Sequence, residues 1–554
     1  MKIKVSELIV QYLEKLEIKT IYGIPGAHIL PVYDALYDSN IQSVLVKHEQ
    51  GAAFMASGDA KVTGKIAACI ATAGPGATNL ITGIANAYVD KQAVIAITGE
   101  APTHIFGKGG LQESSGEGGS IDQSALFKAV SGYHKIIERT DYLPHILNQA
   151  SRILLSDNPT PVILSIPFNV QQELIDNRFL ENIKTSNINC NHKSSINFFA
   201  KMVSEAEHPI IVAGYGAIKA QAQSQLSEFA QTLNIPVTTS LKAKGIIDEE
   251  SPLSLGSLGV TSGGYAYQYM VDKADLVIFL GAGFNERTSY VWKDTLLADK
   301  KIIQIDINPA QLNKVFQSDL AIQGSISAIL IELNFAFKKR PIKAKSLVDL
   351  AEYKDDLAKK ADATGQAIFD SKFAVVKTFF KQLPKQFKEP ICVFDDNIIL
   401  AQNFYQVPAN HRYYPNTGIS SLGQAIPAAI GAGFVLKNQP LFAIIGDGGF
   451  QMCCMELMTA VNYNISLNVI LINNASMGLI RKNQYQQYQE RYINCDFINP
   501  DYQLLAKSFN INYFHIENAQ DIQSLFQDCN FTNQINLIEI ILDRDAFPNY
   551  RSNR

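Results

Sequence analysis

Short apolar runs alternate with amphipathic stretches through the first part of the chain. A short continuous apolar run is typical of a strand buried in a parallel sheet, and apolar residues at helical spacing predict an amphipathic helix. The predicted strands are Ile21–Tyr22, Val44–Val46, Ala67–Ala71, Ala93–Ile97 and Val162–Ile166. The predicted helices are Glu7–Glu17, Gln50–Thr63 and Ala77–Asp90. Because strands that alternate with helices build parallel sheets, this part is predicted to be a doubly wound α/β domain.

Two polar stretches interrupt this alternation and divide the chain into three domains. Residues 171–200 are rich in Asn, residues 336–362 are rich in Lys, and both are predicted linkers. The strands predicted between them are Ile210–Ala213, Val237–Thr239, Leu276–Leu280 and Ile302–Ile305. We therefore predict an α/β protein with three doubly wound parallel-sheet domains. The predicted domain boundaries are 1–175, 195–335 and 365–554.

The third domain contains a βαβ unit with polar residues at both strand ends. Leu441–Ile445 and Leu467–Ile472 are its predicted strands; a Gly-rich turn with Asp447 follows the first, and Asn474 follows the second. Open α/β sheets bind ligands in the crevice at the carboxyl ends of their strands. A carboxylate and an amide oxygen suit Mg²⁺, and glycine N–H groups at a helix start suit phosphate. The alternative is a plain Gly-rich turn with a surface Asn pair, but the spacing of 27 residues between Asp447 and Asn474 favours a metal–diphosphate site.

Composition and charge narrow the functional classes. The chain has 554 residues, of which 47% are apolar, and this is enough for several well-formed cores. Its formal net charge of −4 gives no reason to expect a nucleic-acid or membrane partner. We expect neither a membrane span nor a signal peptide, because the longest apolar runs are short and the first residues predict an amphipathic helix. Seven scattered cysteines without a CxxC pair favour a cytoplasmic location.

The unit from Gly446 to Asn474 resembles the motif of thiamine diphosphate-dependent enzymes, which opens with GDG and closes with NN. In that family the Asp, the second Asn and a backbone carbonyl two residues later hold Mg²⁺. The resemblance therefore implies that Asp447, Asn474 and the carbonyl of Ser476 bind the metal. The cofactor-binding residues that it implies here are Gly446, Gly448, Gly449, Asn474, Met477 and Gly478.

A second motif, His48–Ala52, follows a predicted strand of the first domain. Taken alone, Glu49 fits a helix-start carboxylate that the helix dipole favours. The letters HEQGA nevertheless resemble a stretch of the same superfamily, in which the Glu hydrogen-bonds N1′ of the cofactor's aminopyrimidine. The resemblance implies that Glu49 activates the cofactor, since a carboxyl group at N1′ promotes the tautomer that removes the C2 proton. The stretch Gly74–Asn79 resembles the superfamily's GPG-x-x-N segment beside the active site.

Residues 416–433 resemble the superfamily segment that cradles the aminopyrimidine and bends the cofactor into a V. The resemblance implies that Leu422 supports this bend. It also implies that the backbone carbonyl of Ser420 accepts a hydrogen bond from the 4′-amino group. The alternative for Leu422 is an ordinary core leucine, and the sequence leaves both interpretations open.

Resemblance to the acetolactate synthase-like branch of this family covers nearly the whole chain. In that branch the first domain binds the pyrimidine, the third binds the diphosphate, and the central domain is the place for FAD. The cofactor lies between two subunits, so a homodimer or homotetramer is implied and a regulatory small subunit is left open. FAD is also left open, because Gly214-x-Gly216 lacks a third glycine and Gly281–Arg287 lacks the first Arg of the synthases' GARFDDR.

Three further positions bear on the substrate. Asn483 stands where synthases that use 2-ketobutyrate carry a Trp. The stretch Gly26–Ile29 (GAHI) resembles benzaldehyde lyase and cyclic 1,2-dione hydrolase, in which this His borders the substrate. His28 is therefore a candidate catalytic residue, with a structural helix-start histidine as the alternative. Gln112 matches a Gln that faces the thiazolium in both groups, and it is a further catalytic candidate.

These observations lead to three functional hypotheses. The leading hypothesis is an acetolactate synthase-like carboligase that decarboxylates pyruvate and joins the acyl group to a second 2-keto acid. The alternative, which His28 and Asn483 favour, is a lyase, hydrolase or carboligase that acts on acyloins or 1,2-diketones. The third is a non-catalytic thiamine diphosphate-binding protein, and the joint presence of Glu49, Asp447 and Asn474 argues against it.

Overall fold

Three six-stranded parallel sheets form the framework of the protein. The structure is a computed structural model that describes residues 2–178, 180, 193–339, 349–363 and 368–550. The predicted fold class, an α/β protein with three doubly wound parallel-sheet domains, is confirmed. Within the described residues, no helix combines the length and the apolar character that a bilayer span needs.

The first domain holds one of these sheets and a short ribbon. Its elements are β1 Lys2–Lys4, α1 Val5–Lys15, β2 Thr20–Gly23, α2 Leu30–Tyr37, β3 Gln42–Leu45, α3 Glu49–Thr63, β4 Ala67–Ala71, α4 Pro75–Asn79, α5 Ile81–Val89, β5 Val94–Glu100, α6 Gln123–Lys128, β6 Tyr133–Ile136, α7 Leu143–Leu154, β7 Val162–Pro167, α8 Phe168–Gln171 and β8 Leu174–Asp176. The sheet has the order β3-β2-β4-β5-β7-β6, and β1 pairs with β8 in an antiparallel ribbon. Successive residues of β4, such as Cys69 and Ile70, enter two different cores, so both faces of this sheet are buried.

The central domain is built on a sheet with a different topology. Its elements are α9 Lys193–Glu205, β9 Pro209–Ala213, α10 Tyr215–Lys219, α11 Gln223–Leu233, β10 Val237–Thr239, β11 Ser254–Ser257, α12 Tyr265–Asp272, β12 Leu276–Leu280, β13 Lys301–Asp306, β14 Leu320–Gln323, α13 Ile326–Lys339 and α14 Leu350–Ala363. The strand order is β11-β10-β9-β12-β13-β14. This is the order of dinucleotide-binding sheets, whose ligand crevice opens between the first and fourth strands, here β9 and β12.

The third domain repeats the topology of the first. Its elements are α15 Ala374–Gln382, β15 Cys392–Asp395, α16 Ile399–Phe404, β16 Arg412–Pro415, α17 Ala425–Gly433, β17 Leu441–Gly446, α18 Asp447–Cys453, α19 Leu457–Asn462, β18 Leu467–Asn473, α20 Gly478–Gln487, α21 Tyr502–Phe509, β19 Asn512–Ile516, α22 Ala519–Asp528 and β20 Ile535–Ile541. The order β16-β15-β17-β18-β20-β19 follows the same scheme as the first sheet. The two terminal domains are therefore related folds, although their sequences show no direct repeat.

Several elements differ from the sequence prediction. The predicted helix Ala77–Asp90 is two helices, α4 and α5, because the N–H of Leu80 bonds to the carbonyl of Ala77 and tightens the turn between them. Nine strands of the described residues were not predicted: β1, β6, β8, β11, β14, β15, β16, β19 and β20. Five of them (β6, β11, β14, β16 and β19) lie at sheet edges, where a strand needs no continuous apolar run. The strands β1 and β8 form the antiparallel ribbon, whereas β15 and β20 lie inside their sheet.

The two predicted linkers are wrong in part. The stretch 171–200 contains β8 and the start of α9, and the stretch 336–362 contains the end of α13 and most of α14. Helix α14 is polar but amphipathic, since Leu350 is buried and the ring of Tyr353 meets that of Tyr269 at 5.9 Å. The rest of the first stretch (179 and 181–192), the residues 340–348 of the second and the predicted boundary at 365 lie outside the described residues. The domain boundaries therefore stay predictions.

The first and third domains meet where α3 crosses α17. A Cβ built on Gly58 would lie 2.0 Å from the carbonyl oxygen of Ala428, and one on Gly431 would lie 2.0 Å from that of Met55. Only glycine permits such a close approach of two helix backbones. This crossing fixes α3, which begins at Glu49, against the domain that carries the GDG turn.

Candidate active site

Asp447 lies at the centre of a hydrogen-bonded turn at the carboxyl end of β17. Its Oδ2 accepts from the backbone N–H groups of Asn474 (3.1 Å) and Ala475 (2.6 Å) and from the side-chain amide of Asn499 (2.9 Å). Its Oδ1 accepts from the N–H of Gly448 at 2.9 Å. Burial raises the pKa of the Asp447 carboxyl, and the four donors oppose this shift. The turn thus holds a buried carboxylate in a fixed orientation.

The second strand end brings the other predicted ligands to the same turn. The N–H of Ser476 donates to Oδ1 of Asn474 at 3.3 Å, and the N–H of Met477 donates to the carbonyl of Cys495 at 2.7 Å. Ala475 between them has a φ of 50°, a left-handed conformation that is uncommon for alanine and is stabilised here by its bond to Asp447. Asp447, Asn474 and Ser476 therefore belong to one preorganised turn.

The residues of this turn fit Mg²⁺ and a diphosphate. A Cβ on Gly448 would lie 2.7 Å from Sδ of Met477, and one on Gly478 would lie 2.7 Å from Nδ2 of Asn474, so a side chain at either position would displace the Met477 or the Asn474 side chain. Carboxylate, amide and carbonyl oxygens are the ligands that Mg²⁺ prefers. Nowhere in the described part of the chain do three or more His, Cys, Asp and Glu side chains cluster as metal ligands.

The remaining predicted glycines differ in how tightly they are packed. A Cβ on Gly449 would meet Oδ2 of Asp396 at 2.6 Å, whereas one on Gly446 would meet nothing closer than 3.6 Å. Gly449 is therefore required by the packing of α18 on Asp396, and Gly446 is not required by packing.

The loop that carries Ser420 and Leu422 is held by a carboxylate that the sequence motifs did not reveal. Asp396 accepts from the N–H groups of Gly423 (2.8 Å) and Gln424 (3.0 Å), and burial raises its pKa to about 6. Ser420 has a left-handed φ of 55°. Leu422 is half-buried rather than enclosed in a core.

Glu49 occupies the first turn of α3 but does not cap this helix. The cap is His48, whose Nδ1 accepts from the N–H of Gln50 at 3.1 Å. Glu49 is buried, and its Oε2 accepts from Nδ2 of Asn79 at 2.9 Å. A Cβ on Gly76 would lie 3.4 Å from Glu49 Oε1, so the GPG-x-x-N segment packs directly on this carboxyl. The two motifs of the first domain thus form one cluster.

His28 and Gln112 also meet in the first domain. Nδ1 of buried His28 lies 3.2 Å from Oε1 of Gln112, and its backbone carbonyl accepts from Nε2 of Gln171 at 2.6 Å. Gln112 has a left-handed φ of 56° and packs against Gly74 of the GPG segment. These contacts place His28 and Gln112 at the same edge of the first-domain sheet as Glu49.

A buried polar network, which sequence patterns did not indicate, orders the loop around Gln112. Glu100 at the end of β5 is fully buried and accepts from the N–H (3.0 Å) and Oγ (2.7 Å) of Ser114 and from Nε2 of Gln123 (3.1 Å). Glu113 accepts from the N–H of Gly107 at 2.6 Å. The segment after Gln112 is therefore tied to the sheet through Ser114 and Gln123, and Glu113 links it to the segment before Gln112 at Gly107.

The central domain presents a crevice of about 490 Å³ at the carboxyl ends of β9 and β12. Gly214 and Gly281 meet there so closely that a Cβ on Gly214 would lie 2.1 Å from the Gly281 carbonyl oxygen. Asp306 at the end of β13 accepts from the N–H of Asn308 at 2.8 Å. The crevice has the position of a nucleotide site in this topology.

Comparison with known protein families identifies the class of the protein. Three family profiles match the chain in order: thiamine pyrophosphate enzyme, N-terminal TPP binding domain (residues 3–125), central domain (196–333) and C-terminal TPP binding domain (397–540). The chain therefore belongs to the thiamine pyrophosphate enzyme family. In this family the N-terminal and C-terminal domains both bind the cofactor. This explains why one polar cluster lies around Glu49 and another around Asp447.

Individual relatives place the chain in the acetolactate synthase-like branch. It is 32% identical to a probable acetolactate synthase large subunit of Methanocaldococcus jannaschii, over 98% of this chain and 93% of the relative. It is 32% identical to the acetolactate synthase isozyme 2 large subunit of Escherichia coli, over 94% and 92% of the two chains. The acetolactate synthase large subunit of Corynebacterium glutamicum is 31% identical, over 98% and 87%.

Proposed function

We propose that the protein is a Mg²⁺-dependent carboligase that decarboxylates pyruvate and joins the acyl group to a second 2-keto acid. The observation that carries this proposal is the pairing of two complete half-sites in one chain. One is the Asp447–Asn474–Ser476 turn, and the other is buried Glu49 with its Asn79 partner. The near full-length similarity to acetolactate synthase large subunits supports the carboligase over other enzymes of the family.

Each group in the two half-sites has a distinct task in this proposal. Thiamine diphosphate, when bound, supplies the electron sink that allows a 2-keto acid to lose carbon dioxide. Asp447, Asn474 and the Ser476 carbonyl bind Mg²⁺, and the glycine N–H groups at the start of α18 bind the diphosphate. Glu49 exchanges a proton with N1′ of the pyrimidine. Leu422 and the Ser420 carbonyl orient the pyrimidine ring.

A second candidate function rests on the contact between His28 and Gln112. This pair places an imidazole and an amide, 3.2 Å apart, at the edge of the first-domain half-site. Such a pair is suited to hold or protonate a carbonyl or hydroxyl oxygen of the substrate. A lyase, hydrolase or carboligase of acyloins or 1,2-diketones would use it in this way.

Incubation with separate substrates tests the two functions. The protein is loaded with thiamine diphosphate and Mg²⁺ and given pyruvate alone, then an acyloin or a 1,2-diketone. The carboligase forms acetolactate with one carbon dioxide released per product, and removal of Mg²⁺ by a chelator abolishes this. Turnover of only the acyloin or the diketone would replace the first proposal by the second. Inertness towards every substrate would contradict both.

FAD and partner subunits are the remaining parts of the proposal. The central crevice is the candidate site for FAD, and heat release of a flavin from the purified protein tests it. Active protein without flavin absorbance would remove FAD from the proposal. We infer a homodimer or homotetramer, and the relatives named as large subunits make a small partner subunit worth a co-purification test.

A further inference from the structure

We propose that Glu456 of the third domain is a positioning residue for Glu49 of the first domain. The proposal rests on the proposed role of Glu49 as the activating acid. Glu456 is buried, and its Oε1 accepts from the N–H groups of Lys47 (3.1 Å) and His48 (3.0 Å). These are the two residues that precede Glu49. A carboxylate of one domain therefore fixes the backbone that leads into the activating acid of another.

The Glu456 carboxylate is hydrogen-bonded through both oxygens and closely packed against α3. Oε2 of Glu456 accepts from Oγ1 of Thr459 at 2.8 Å and lies 3.3 Å from the N–H of Lys47, so both oxygens have partners. A Cβ on Gly51 would lie only 2.3 Å from Oε1 of Glu456. Glycine at this position is thus what allows the carboxylate to reach the backbone before α3. Burial raises the pKa of Glu456, and its hydrogen bonds oppose this effect.

The geometry restrains Glu49 at two points. The carboxyl of Glu49 accepts from Asn79, which fixes the end of its side chain. Glu456 fixes the backbone N–H groups of the two preceding residues, which sets where the Glu49 Cα lies. A small displacement of a catalytic group, on the order of 1 Å, reduces a rate by about 10²-fold. Loss of the Glu456 contact should therefore slow cofactor activation without removing any group that touches the cofactor.

The test compares Glu456→Met with Glu456→Gln. Methionine keeps most of the volume but has no comparable acceptor, whereas glutamine keeps a carbonyl oxygen for Lys47 and His48. At saturating thiamine diphosphate and Mg²⁺, we expect hydrogen–deuterium exchange at cofactor C2 to slow by about 10- to 100-fold in Glu456→Met. In Glu456→Gln we expect it to stay near the parent rate. Cofactor affinity should change little in either variant.

A second readout does not depend on the cofactor. In protein without ligands, the backbone amides of Lys47 and His48 should exchange with deuterium about 10-fold faster or more in Glu456→Met, because each loses its acceptor. Thr459→Val is the matched control, since it removes the other partner of Glu456 and leaves these two bonds. If Glu456→Met does not fold, Gly51→Ala replaces it, because its methyl group displaces the Glu456 carboxylate instead of deleting it.

The outcomes separate this inference from the proposed function. C2 exchange at the parent rate in Glu456→Met, or in Gly51→Ala where that variant replaces it, overturns the positioning role, provided that Glu49→Gln slows it. Parent-rate exchange in Glu49→Gln itself overturns the proposed role of Glu49. If Glu456 acts through Glu49, the double variant Glu49→Gln/Glu456→Met should be no slower than Glu49→Gln alone. Additive losses would show an independent effect and contradict the inference.

Discussion

Glu49 has a neutral hydrogen-bond partner rather than a cationic one. Asn79 donates to its Oε2, and within the described residues no lysine, arginine or histidine forms an ion pair with it. The Asn79 amide therefore fixes the orientation of the Glu49 carboxyl.

We expect Glu49→Gln to separate activation from binding. Glutamine is nearly isosteric and still reaches Asn79, so folding and anchoring at the Asp447 turn should survive. It lacks the titratable proton, and general acid–base help of this kind is typically worth about 10²–10⁴-fold. The measurement is hydrogen–deuterium exchange at C2 of the bound cofactor, quenched and read by NMR. Unchanged exchange would refute the role whatever the turnover.

Asp59 on α3 is a second buried acid, and it acts on stability. Burial raises its pKa to about 7. Its Oδ2 lies 3.2 Å from the hydroxyl of Tyr22, which in turn lies 3.2 Å from the carbonyl of Gly431. A protonated Asp59 can donate to the Tyr22 hydroxyl while this hydroxyl donates to the Gly431 carbonyl. Both contacts of the hydroxyl are then hydrogen bonds. The ionised form competes with Gly431 for the single tyrosine proton.

Asp59→Asn should therefore stabilise the protein more at pH 8 than at pH 5. The folded-state pKa of about 7 lies above the ordinary value of 3.8, so stability from the protonated group is lost as pH rises towards 7. The stability gap between variant and parent should grow by on the order of 1–3 kcal/mol between the two pH values. Urea denaturation at constant ionic strength measures it. The exposed Asp34→Asn is the control, and an equal gap at both pH values would contradict the prediction.

At the scale of elements, the crossing of α3 and α17 depends on two reciprocal glycines. Gly58 faces the Ala428 carbonyl and Gly431 faces the Met55 carbonyl. At both positions the space beside Cα holds a hydrogen atom but no Cβ. We expect Gly58→Ala and Gly431→Ala to lower the free energy of unfolding by about 1–3 kcal/mol or more, because overpacking forces backbones apart. Chemical denaturation of the protein without cofactor measures the loss.

The matched control for the helix crossing is Gly446→Ala. Its Cβ would meet only Ile398 Cδ1, at an ordinary 3.6 Å, and Gly446 has an extended backbone that alanine adopts easily. This substitution should change the free energy of unfolding by a few tenths of a kcal/mol at most. If Gly58→Ala were as stable as Gly446→Ala, the helices would not be held by close backbone contact.

Buried apolar strands of the first two domains were predicted and most sheet-edge strands were not, although the buried interior strand β20 was also missed. The strand Ala67–Ala71 is buried on both faces and was predicted to the residue, whereas β11 and β14 are sheet edges without a continuous apolar run. Asp447 and Asn474 were predicted because each lies both in the family motif and at the end of a predicted strand. Asp396 and Asn499 had no such local signal, since their hydrogen-bond partners lie far away in the sequence.

At the scale of the whole molecule, the two half-sites belong to different domains, and apolar side chains are exposed beside one of them. Met452 and Met455 follow the GDG turn, and Ile480 follows the Asn474 turn; all three are exposed. Exposed apolar groups on the elements that begin at a binding site are typical of a surface that another chain covers. This supports the inference that the first-domain half-site of one subunit completes the third-domain half-site of another.

Mixing two inactive variants tests that arrangement. Glu49→Gln damages only the first-domain half-site, and Asp447→Ala damages only the third-domain half-site. If active sites form between subunits, each mixed dimer has one site with both defects and one site with neither. Random reassembly of equal amounts should then restore roughly one quarter of the parent activity, because half of the dimers are mixed and each has one intact site. Sites formed within single subunits would give no recovery.

The control mixture is Asp447→Ala with Asn474→Ala. Both changes lie in the third domain, so every site of every mixed dimer keeps one damaged turn and activity should not return. The same reassembly protocol applied to parent protein must recover its activity, and this excludes losses from handling. Recovery in the first mixture together with none in the second can arise only when the halves come from different chains. Equal recovery in both mixtures would instead mean that the variants themselves are not inactive, and absence of recovery in both would place Glu49 and Asp447 of the same chain in one site.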